Sequence, residues 1–476
     1  MAVKFGTSGL RGLSTELVGS VSALYATAFA RFLTESNHLP AGGVVAVARD
    51  FRESSPEIAA TVMAAIRRAG LVPVDCGWIP TPALALYAQK IGAAGIMVTG
   101  SHIPADRNGI KFYRPDGEID KDDEATITRL AAELANDQVA NRVERGNGEN
   151  QEAEATNLFL DRNLSILPAG ALEGQRIGVY EHSSVARDMM TTVFKQYGAT
   201  VVSLGRSEIF IPVDTEAVSA ETETLLRNWS AEHKLDAIVS TDGDGDRPLV
   251  ADEAGRPLRG DLLGLVAARY LHAATVVTPV TSNSGIESIG GFVVIRTRVG
   301  SPFVIAAMHG ALARGDKGVV GFEANGGTML GSAFDIERRS IAALPTRDSF
   351  LPALAVLGSA IAKGCSLSQL SRSYNLPVAL SDRIENFAVE RSASLMNHLQ
   401  HSTDALSSFL APIGAVKSST DIDGLRVTLD DGRVIHFRPS GNAPEMRCYV
   451  EAQTPEAAQE LLRQGLDAIR SWQPTA

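Results

Sequence analysis

The sequence predicts an α/β protein in which one strand–helix–strand unit recurs three times before a C-terminal segment of different character. Three observations carry this expectation. Apolar runs of strand length alternate with stretches of helix length up to about residue 374. Each unit closes on an apolar run that gives way to a loop rich in polar residues and glycine, at Ser101, at Asp242 and at Glu323. From about residue 375 the pattern changes to strand pairs around a turn, flanked by helices. A length of 476 residues suits three or four domains, and the expected divisions are 1–150, 151–255, 256–374 and 375–476.

In the first unit residues 44–48 read as a strand. Residues 56–69 read as a helix with apolar positions at Ile58, Val62 and Ile66, and residues 71–74 as the next strand. Ser54 or Ser55 is placed to cap that helix, and Pro56 suits its first turn. A short helix after Pro82 leads to a strand at 94–98, and the charged, helix-rich stretch 121–154 marks a domain edge. The second unit offers strands at 176–180, 200–204 and 235–239 and a helix at 185–197. The third offers strands at 275–278, 292–297 and 319–322, with a helix after Pro302. The last segment reads as one helix over 392–409, strands at 425–429 and 434–437 around the turn Asp430-Asp431-Gly432, a strand at 447–451 and a final helix after Pro455. Open α/β sheets bind ligands at the carboxyl ends of their strands, so three such ends facing one another would form a deep cleft.

Composition excludes several classes. Hydrophobic residues make up 45% and charged ones 21%, as in ordinary globular chains. A net charge of −11 argues against nonspecific nucleic-acid binding, and it obliges any anion site to gather cations locally. The first twelve residues are polar and glycine-rich and nothing reads as a membrane span, so a cytoplasmic protein without a membrane partner is expected. Cys76, Cys365 and Cys448 are odd in number and scattered, which suits reduced thiols.

Two loops carry the chemistry. VTGSHIPADRNGIKFY (98–113) places Ser101 at a strand end, with His102 beside it and Lys111 ten residues on, where a returning chain would bring it back. A serine hydroxyl needs a base and a cation nearby to act as a nucleophile. Taken alone, TGSHIP reads equally as a polar turn. In STDGDGDR (240–247), glycines between Asp242, Asp244 and Asp246 let three carboxylates converge, and a hard divalent cation relieves their repulsion. Spacing of this kind also opens an EF-hand, with Glu253 at the twelfth position, but Arg247 stands where that loop needs glycine and a strand precedes it. Magnesium is the better fit, because three protein oxygens leave positions for water and a phosphate. Arg247 beside it suits an anionic oxygen.

Together these loops resemble those of the α-D-phosphohexomutase family, the phosphomannomutases and phosphoglucomutases. FGTSGLRG (5–12) is similar to the family's F-G-T-S-G-x-R-G opening. TGSHIP is similar to its T-A-S-H-N-P phosphoserine loop, with Gly100 for Ala and Ile103 for Asn. DGDGDR (242–247) matches its metal loop, GFEANGG (321–327) its sugar-binding loop, and RPSGNAP (438–444) its R-P-S-G-T-E-P phosphate loop. Five matches in order cover essentially the whole chain. On its own, RPSGNAP reads as a turn.

The resemblance implies three similar mixed-sheet α/β domains plus a smaller C-terminal α+β domain around a central cleft. It implies that phosphorylated Ser101 donates to a hexose phosphate, that a bisphosphate forms and turns round, and that the other phosphate returns to Ser101. One Mg2+ per chain on Ser101, Asp242, Asp244 and Asp246 would neutralise charge, and hexose 1,6-bisphosphate would act as activator. Lys111, with His102 and Arg11, would form the catalytic set. Arg247, Gly300, Ser301, Glu323, Asn325, Arg438, Ser440, Gly441 and Asn442 would hold substrate. The implied activity is that of a bacterial phosphomannomutase, a monomer or homodimer, with glucose phosphates close behind. Glu323-Ala-Asn-Gly is nearer the acetylglucosamine-phosphate branch, Ser301 stands where relatives often carry His or Asp, and Asn442 and Ala443 replace Thr and Glu. A non-catalytic sugar-phosphate binder would need neither Ser101 nor Lys111. A magnesium-dependent sugar phosphatase would release free phosphate, and a serine hydrolase would need a G-x-S-x-G elbow that Ser101 lacks.

Overall fold

The computed structural model describes residues 3–6, 9–440 and 444–473. They form two compact units, Met1–Val276 with Gly300–Ser371, and Val277–Val299 with Arg372–Ala476. The division falls within the strand Thr275–Pro279.

The first unit holds the three loops of interest. Its largest sheet runs in the order Lys4–Phe5, Leu10–Leu13, Arg107–Arg114, Ala94–Val98, Val44–Arg49, Val72–Asp75 and Glu149–Asn150, with Gly117–Glu118 beside Arg107–Arg114. Val44–Arg49 pairs parallel with both neighbours, whereas Arg107–Arg114 returns antiparallel to Ala94–Val98 and sets Lys111 opposite Met97. The apolar spacing read for 56–69 forms the helix Ser55–Arg68, which buries Ile58, Val62 and Ile66. The cap expected there is absent: Ser54 makes no capping bond, and the Ser55 hydroxyl donates to Asp50 at 2.5 Å.

The helix Ser22–Glu35 was not anticipated. Ser14–Glu35, a stretch of 22 residues, is long and apolar enough to cross a membrane by composition. Here Ala23, Ala26, Phe29, Ala30 and Leu33 are buried, with Phe29 packed 4.7 Å from Phe112 between ring centroids. A core helix meets the same length and composition test as a span.

A second sheet runs Thr200–Leu204, Arg176–Tyr180, Ala237–Thr241, Pro248–Ala251; its last pair is antiparallel and brackets the aspartate loop. A third stretch pairs Val319–Phe322 with Thr328–Leu330, and that strand with Leu344–Asp348. All three sheets mix strand directions or end on an antiparallel edge, so the mixed α/β class holds.

The second unit carries an antiparallel sheet in the order Val378–Ile384, Met446–Ala452, Val434–Pro439, Leu425–Leu429, Val416–Thr420. The helix expected over 392–409 is two, Val389–Gln400 and Thr403–Leu410, because the Ser402 hydroxyl accepts from the Ala405 amide and starts a new helix. Cys76 and Cys448 are buried and Cys365 is partly buried, and all three are free thiols.

Within the first unit one buried ion pair joins segments far apart in the chain. Arg162 donates to Asp348 at 2.7 Å, and the other Asp348 oxygen accepts from the Phe350 amide at 2.9 Å at the start of the helix Phe350–Ala362. Asp348→Ala strands a buried guanidinium, so thermal unfolding should show a loss of about 3–5 kcal/mol. A second expectation concerns His182, whose Nε2 donates to the Thr241 carbonyl at 2.8 Å and whose pKa burial lowers to about 4. The unfolded chain binds that proton near pH 6.5 and the folded one does not. Stability should therefore fall as pH drops from about 6.5 towards 4, and His182→Gln should flatten that limb of the thermal midpoint against pH.

Candidate active site

Ser101 follows the strand Ala94–Val98 in a left-handed conformation, φ 54°. Its loop is gathered around Arg52. This buried guanidinium donates to the carbonyls of Ser101 (3.0 Å), Ile103 (2.7 Å), Pro104 (2.7 Å) and Arg107 (2.8 Å). Asp50 balances the charge and accepts from the Thr99 hydroxyl at 2.7 Å. A Cβ on Gly100 would lie 2.5 Å from Arg52 Cζ, so glycine at this position leaves the guanidinium its place.

The aspartate loop joins Ala237–Thr241 to Pro248–Ala251 through a turn at Gly245, φ 73°. Its backbone is held from several sides: the Thr81 amide donates to the Asp244 carbonyl (2.9 Å), the Val185 amide to Gly243 (3.1 Å) and the Ser349 hydroxyl to Gly245 (2.7 Å). Asp242, Asp244 and Asp246 are fully buried, and one carboxylate oxygen from each lies within 4.8 Å of the others. Ser101 Oγ donates to Asp242 Oδ2 at 2.5 Å. Lys111 Nζ donates to Asp244 at 2.5 Å and to Asp246 at 2.6 Å, and the Thr81 hydroxyl also donates to Asp244.

The charges are unequal. Burial, then Asp244 and Asp246, push Asp242 well above the usual carboxylate range. Burial acts the same way on Asp246, but Arg347, Lys111 and Arg247 outweigh it and hold that carboxyl below its ordinary value. Asp244 Oδ1 and Asp246 Oδ1 are buried without a hydrogen-bond partner. Three converging oxygen donors with two orphaned atoms fit a small hard divalent cation such as Mg2+. The EF-hand alternative fails on Glu253, whose carboxylate binds the hydroxyls of Ser366 at 2.7 Å and Ser368 at 2.5 Å.

His102 lies between Arg247 and the serine. Its Nδ1 accepts from Arg247 at 3.0 Å and lies 3.3 Å from Ser101 Oγ. Burial, then Arg247, lower its pKa to about 3, so the ring is neutral with its proton on Nε2. Arg11, on the strand Leu10–Leu13, donates to the Thr99 carbonyl next to the serine loop. Burial brings its pKa to about 10, and it remains a cation at neutral pH.

Glu323 and Asn325 occupy the turn between Val319–Phe322 and Thr328–Leu330, where Asn325 Oδ1 accepts from the Gly327 amide at 3.0 Å. Gly300, φ 126°, opens the helix Ser301–Ala313. Ser301 was expected at the substrate. It is fully buried, and its hydroxyl donates to Glu118 at 3.0 Å and accepts from Arg347 at 3.1 Å.

In the second unit, Arg438 pairs with Asp423 at 3.0 Å and the Ser440 amide donates to the Glu445 carbonyl at 2.9 Å. Gly441 and Asn442 lie outside the described residues.

The sequence reading missed Arg52, Thr81, Glu118 and Arg347. Arg52 had a signal, since Arg49-Asp50-Phe51-Arg52 leaves the carboxyl end of a strand as the named loops do. Arg347 had a weaker one, in the need of Glu323 for a counter-charge.

The chain is similar to known proteins along its whole length. The phosphoglucomutase/phosphomannomutase family matches through its alpha/beta/alpha domain I at residues 2–138, its alpha/beta/alpha domain III at 259–376 and its C-terminal domain at 385–468. The chain is 58% identical over 471 residues to a phosphomannomutase of Sinorhizobium fredii, covering 99% of each. It is 44% identical to one of Salmonella muenchen, covering 98% of this chain and 96% of that protein. A solved structure described as a putative phosphomannomutase from Thermus thermophilus shares the fold with a TM-score of 0.79 at 22% identity, covering 99% of this chain and 100% of that one. With three family domains matched and relatives this similar along its whole length, the chain belongs to the phosphoglucomutase/phosphomannomutase family.

Proposed function

We propose that the protein interconverts mannose 1-phosphate and mannose 6-phosphate through phosphoserine at Ser101 and a hexose 1,6-bisphosphate. The observation that carries this reading is the contact of Ser101 Oγ with Asp242 at 2.5 Å, inside a buried aspartate cluster, in a chain 58% identical to a phosphomannomutase. In the first half-reaction the bond from phosphorus to Ser101 Oγ breaks, a bond to a sugar oxygen forms, and the proton of the sugar hydroxyl leaves. In the second, the bond from the other phosphorus to its sugar oxygen breaks, a bond to Ser101 Oγ forms, and the freed sugar oxygen takes a proton. Lys111 handles that proton, because it reaches the aspartate loop from the strand opposite Ser101. His102, neutral and accepting from Arg247, holds the guanidinium in place. Asp242, Asp244 and Asp246, with Ser101, would hold Mg2+, which supplies charge neutralisation for the phosphoryl group in transit. Arg11 and Arg247 supply fixed positive charge. Glu323 and Asn325 grip sugar hydroxyls, and Arg438 with Ser440 holds the phosphate that stays.

Hexose 1,6-bisphosphate is the proposed activator, since it rephosphorylates Ser101 when an intermediate escapes. A cytoplasmic monomer or homodimer accompanies this reading.

Its test is a comparison of kcat/KM for mannose 1-phosphate, glucose 1-phosphate and N-acetylglucosamine 1-phosphate, with Mg2+ and a trace of bisphosphate, while free phosphate is followed. Mannose 1-phosphate should lead or share with glucose 1-phosphate, and total sugar phosphate should be conserved. Turnover of the acetylated sugar alone would overturn the substrate, and stoichiometric phosphate release would make the protein a phosphatase. Ser101→Ala should lose at least about 10³-fold in kcat while still binding sugar phosphate by calorimetry. Excess chelator should abolish turnover, and added Mg2+ should restore it.

A further inference from the structure

One cation at the site has no part in the reading above. Arg347, at the end of the strand Leu344–Asp348, is only 2% exposed and touches two functional loops at once. Its Nε and Nη2 lie 3.0 Å and 2.9 Å from Asp246 Oδ2, and its Nη1 donates to Glu323 Oε2 at 3.1 Å. The same Nη1 donates to Ser301 Oγ at 3.1 Å. The Ser301 hydroxyl in turn donates to Glu118 Oε2 at 3.0 Å, and the other Glu118 oxygen accepts from the neighbouring Thr346 hydroxyl at 2.6 Å.

We propose that Arg347 is a positioning residue for sugar recognition: its fork ties Glu323 to Asp246 and thereby fixes the carboxylate that reads the sugar hydroxyls. This rests on the reading of Glu323 as the sugar-gripping residue. A glutamate has three side-chain torsions, and on the short turn before Gly326 and Gly327 little else holds it. A planar guanidinium sets both distance and plane for a carboxylate, which an ammonium on a flexible stem does not. The fork is itself held, because Ser301 and Glu118 anchor its Nη1 edge and Asp246 its Nε edge. Arg347 also supplies the counter-charge beside the Glu323 carboxylate, which is only 4% exposed. Asp246 Oδ2 accepts from both Arg347 and Lys111, so the sugar-reading carboxylate and the proposed proton carrier hang on one oxygen. A sugar seated on Glu323 is thereby registered to the aspartate loop and to Ser101.

The test is a double-mutant cycle on the full chain: wild type, Arg347→Lys, Glu323→Gln and the double variant, each with mannose 1-phosphate at saturating Mg2+ and bisphosphate. Arg347→Lys should raise KM by about 10- to 100-fold, the worth of a charged hydrogen bond, with a smaller fall in kcat. In the Glu323→Gln background the same change should raise KM by less than about threefold, because the group it acts through is already altered. Equal rises in KM in both backgrounds would overturn the proposal, as would a lowered thermal midpoint and kcat with KM unmoved. Arg347→Gln run in parallel covers a lysine variant that does not fold, and failure of both to fold would make Arg347 a scaffold residue. The reading beneath is judged separately by Glu323→Gln alone: an unchanged KM there would remove Glu323 from sugar binding whatever Arg347 does.

Discussion

Three carboxylates packed within 4.8 Å of one another in a fully buried loop set the terms for the rest of the first unit. At that separation and an effective dielectric constant near 20, each like-charged pair costs about 3 kcal/mol. Three such pairs rival the whole stability of a typical domain. The protein answers by drawing cations to the loop. Lys111 bridges Asp244 and Asp246, Arg347 takes Asp246, and the Arg247 and Asp246 amides turn inward to Asp242 Oδ1 at 3.2 Å each. Burial and the two neighbouring carboxylates raise the affinity of Asp242 for protons, whereas Arg347, Lys111 and Arg247 outweigh burial at Asp246 and lower it there. A divalent ion is the partner that such an incomplete balance calls for.

These contacts come from different sheets, and this explains why the chain repeats its α/β unit. Lys111 and Ser101 belong to the sheet of Ala94–Val98, the aspartates to the sheet of Ala237–Thr241, and Arg347 and Glu323 to the strands around Val319–Phe322. Each unit contributes the loop at the carboxyl end of a strand, where side chains can leave the sheet without breaking its ladder. Sequence neighbours alone could not have built the site, because Lys111 and Asp246 are 135 residues apart.

Much of this could be read from the sequence, for a physical reason that also marks the limit. Strand runs such as Val319–Phe322 and Arg176–Tyr180 showed themselves because buried strands are continuously apolar, and Asp242 to Asp246 because glycine spacing admits few other purposes. The N-terminal helix Ser22–Glu35 stayed hidden because its small alanines and scattered aromatics carry no sharp period beside a glycine-rich opening. The break at Ser402 stayed hidden because one hydroxyl decides it. Arg52 and Arg347 stayed hidden because an arginine in a list of 476 residues looks like surface until its partners are known. Ser301 could be named from its place beside Gly300, but its contacts with Glu118 and Arg347 could not, because both partners are distant in the chain.

The serine loop shows how a small departure in sequence follows from a charge placed elsewhere. Ser101 sits at φ 54°, a conformation that favours glycine or asparagine over serine and must be held by its surroundings. Arg52 holds it, and its hydrogen bonds to four carbonyls fix the chain on both sides of the serine. Such a guanidinium must pass close to the backbone, and it does so against Gly100, where an added Cβ would meet Cζ at 2.5 Å. Phe210 closes the other side, its ring 4.0 Å from the same carbon. Packed between glycine, ring and carbonyls, Arg52 cannot follow the anion that the loop is proposed to carry. Its charge is spent on shape, which leaves Arg11 and Arg247 as the fixed positive charge proposed for that anion.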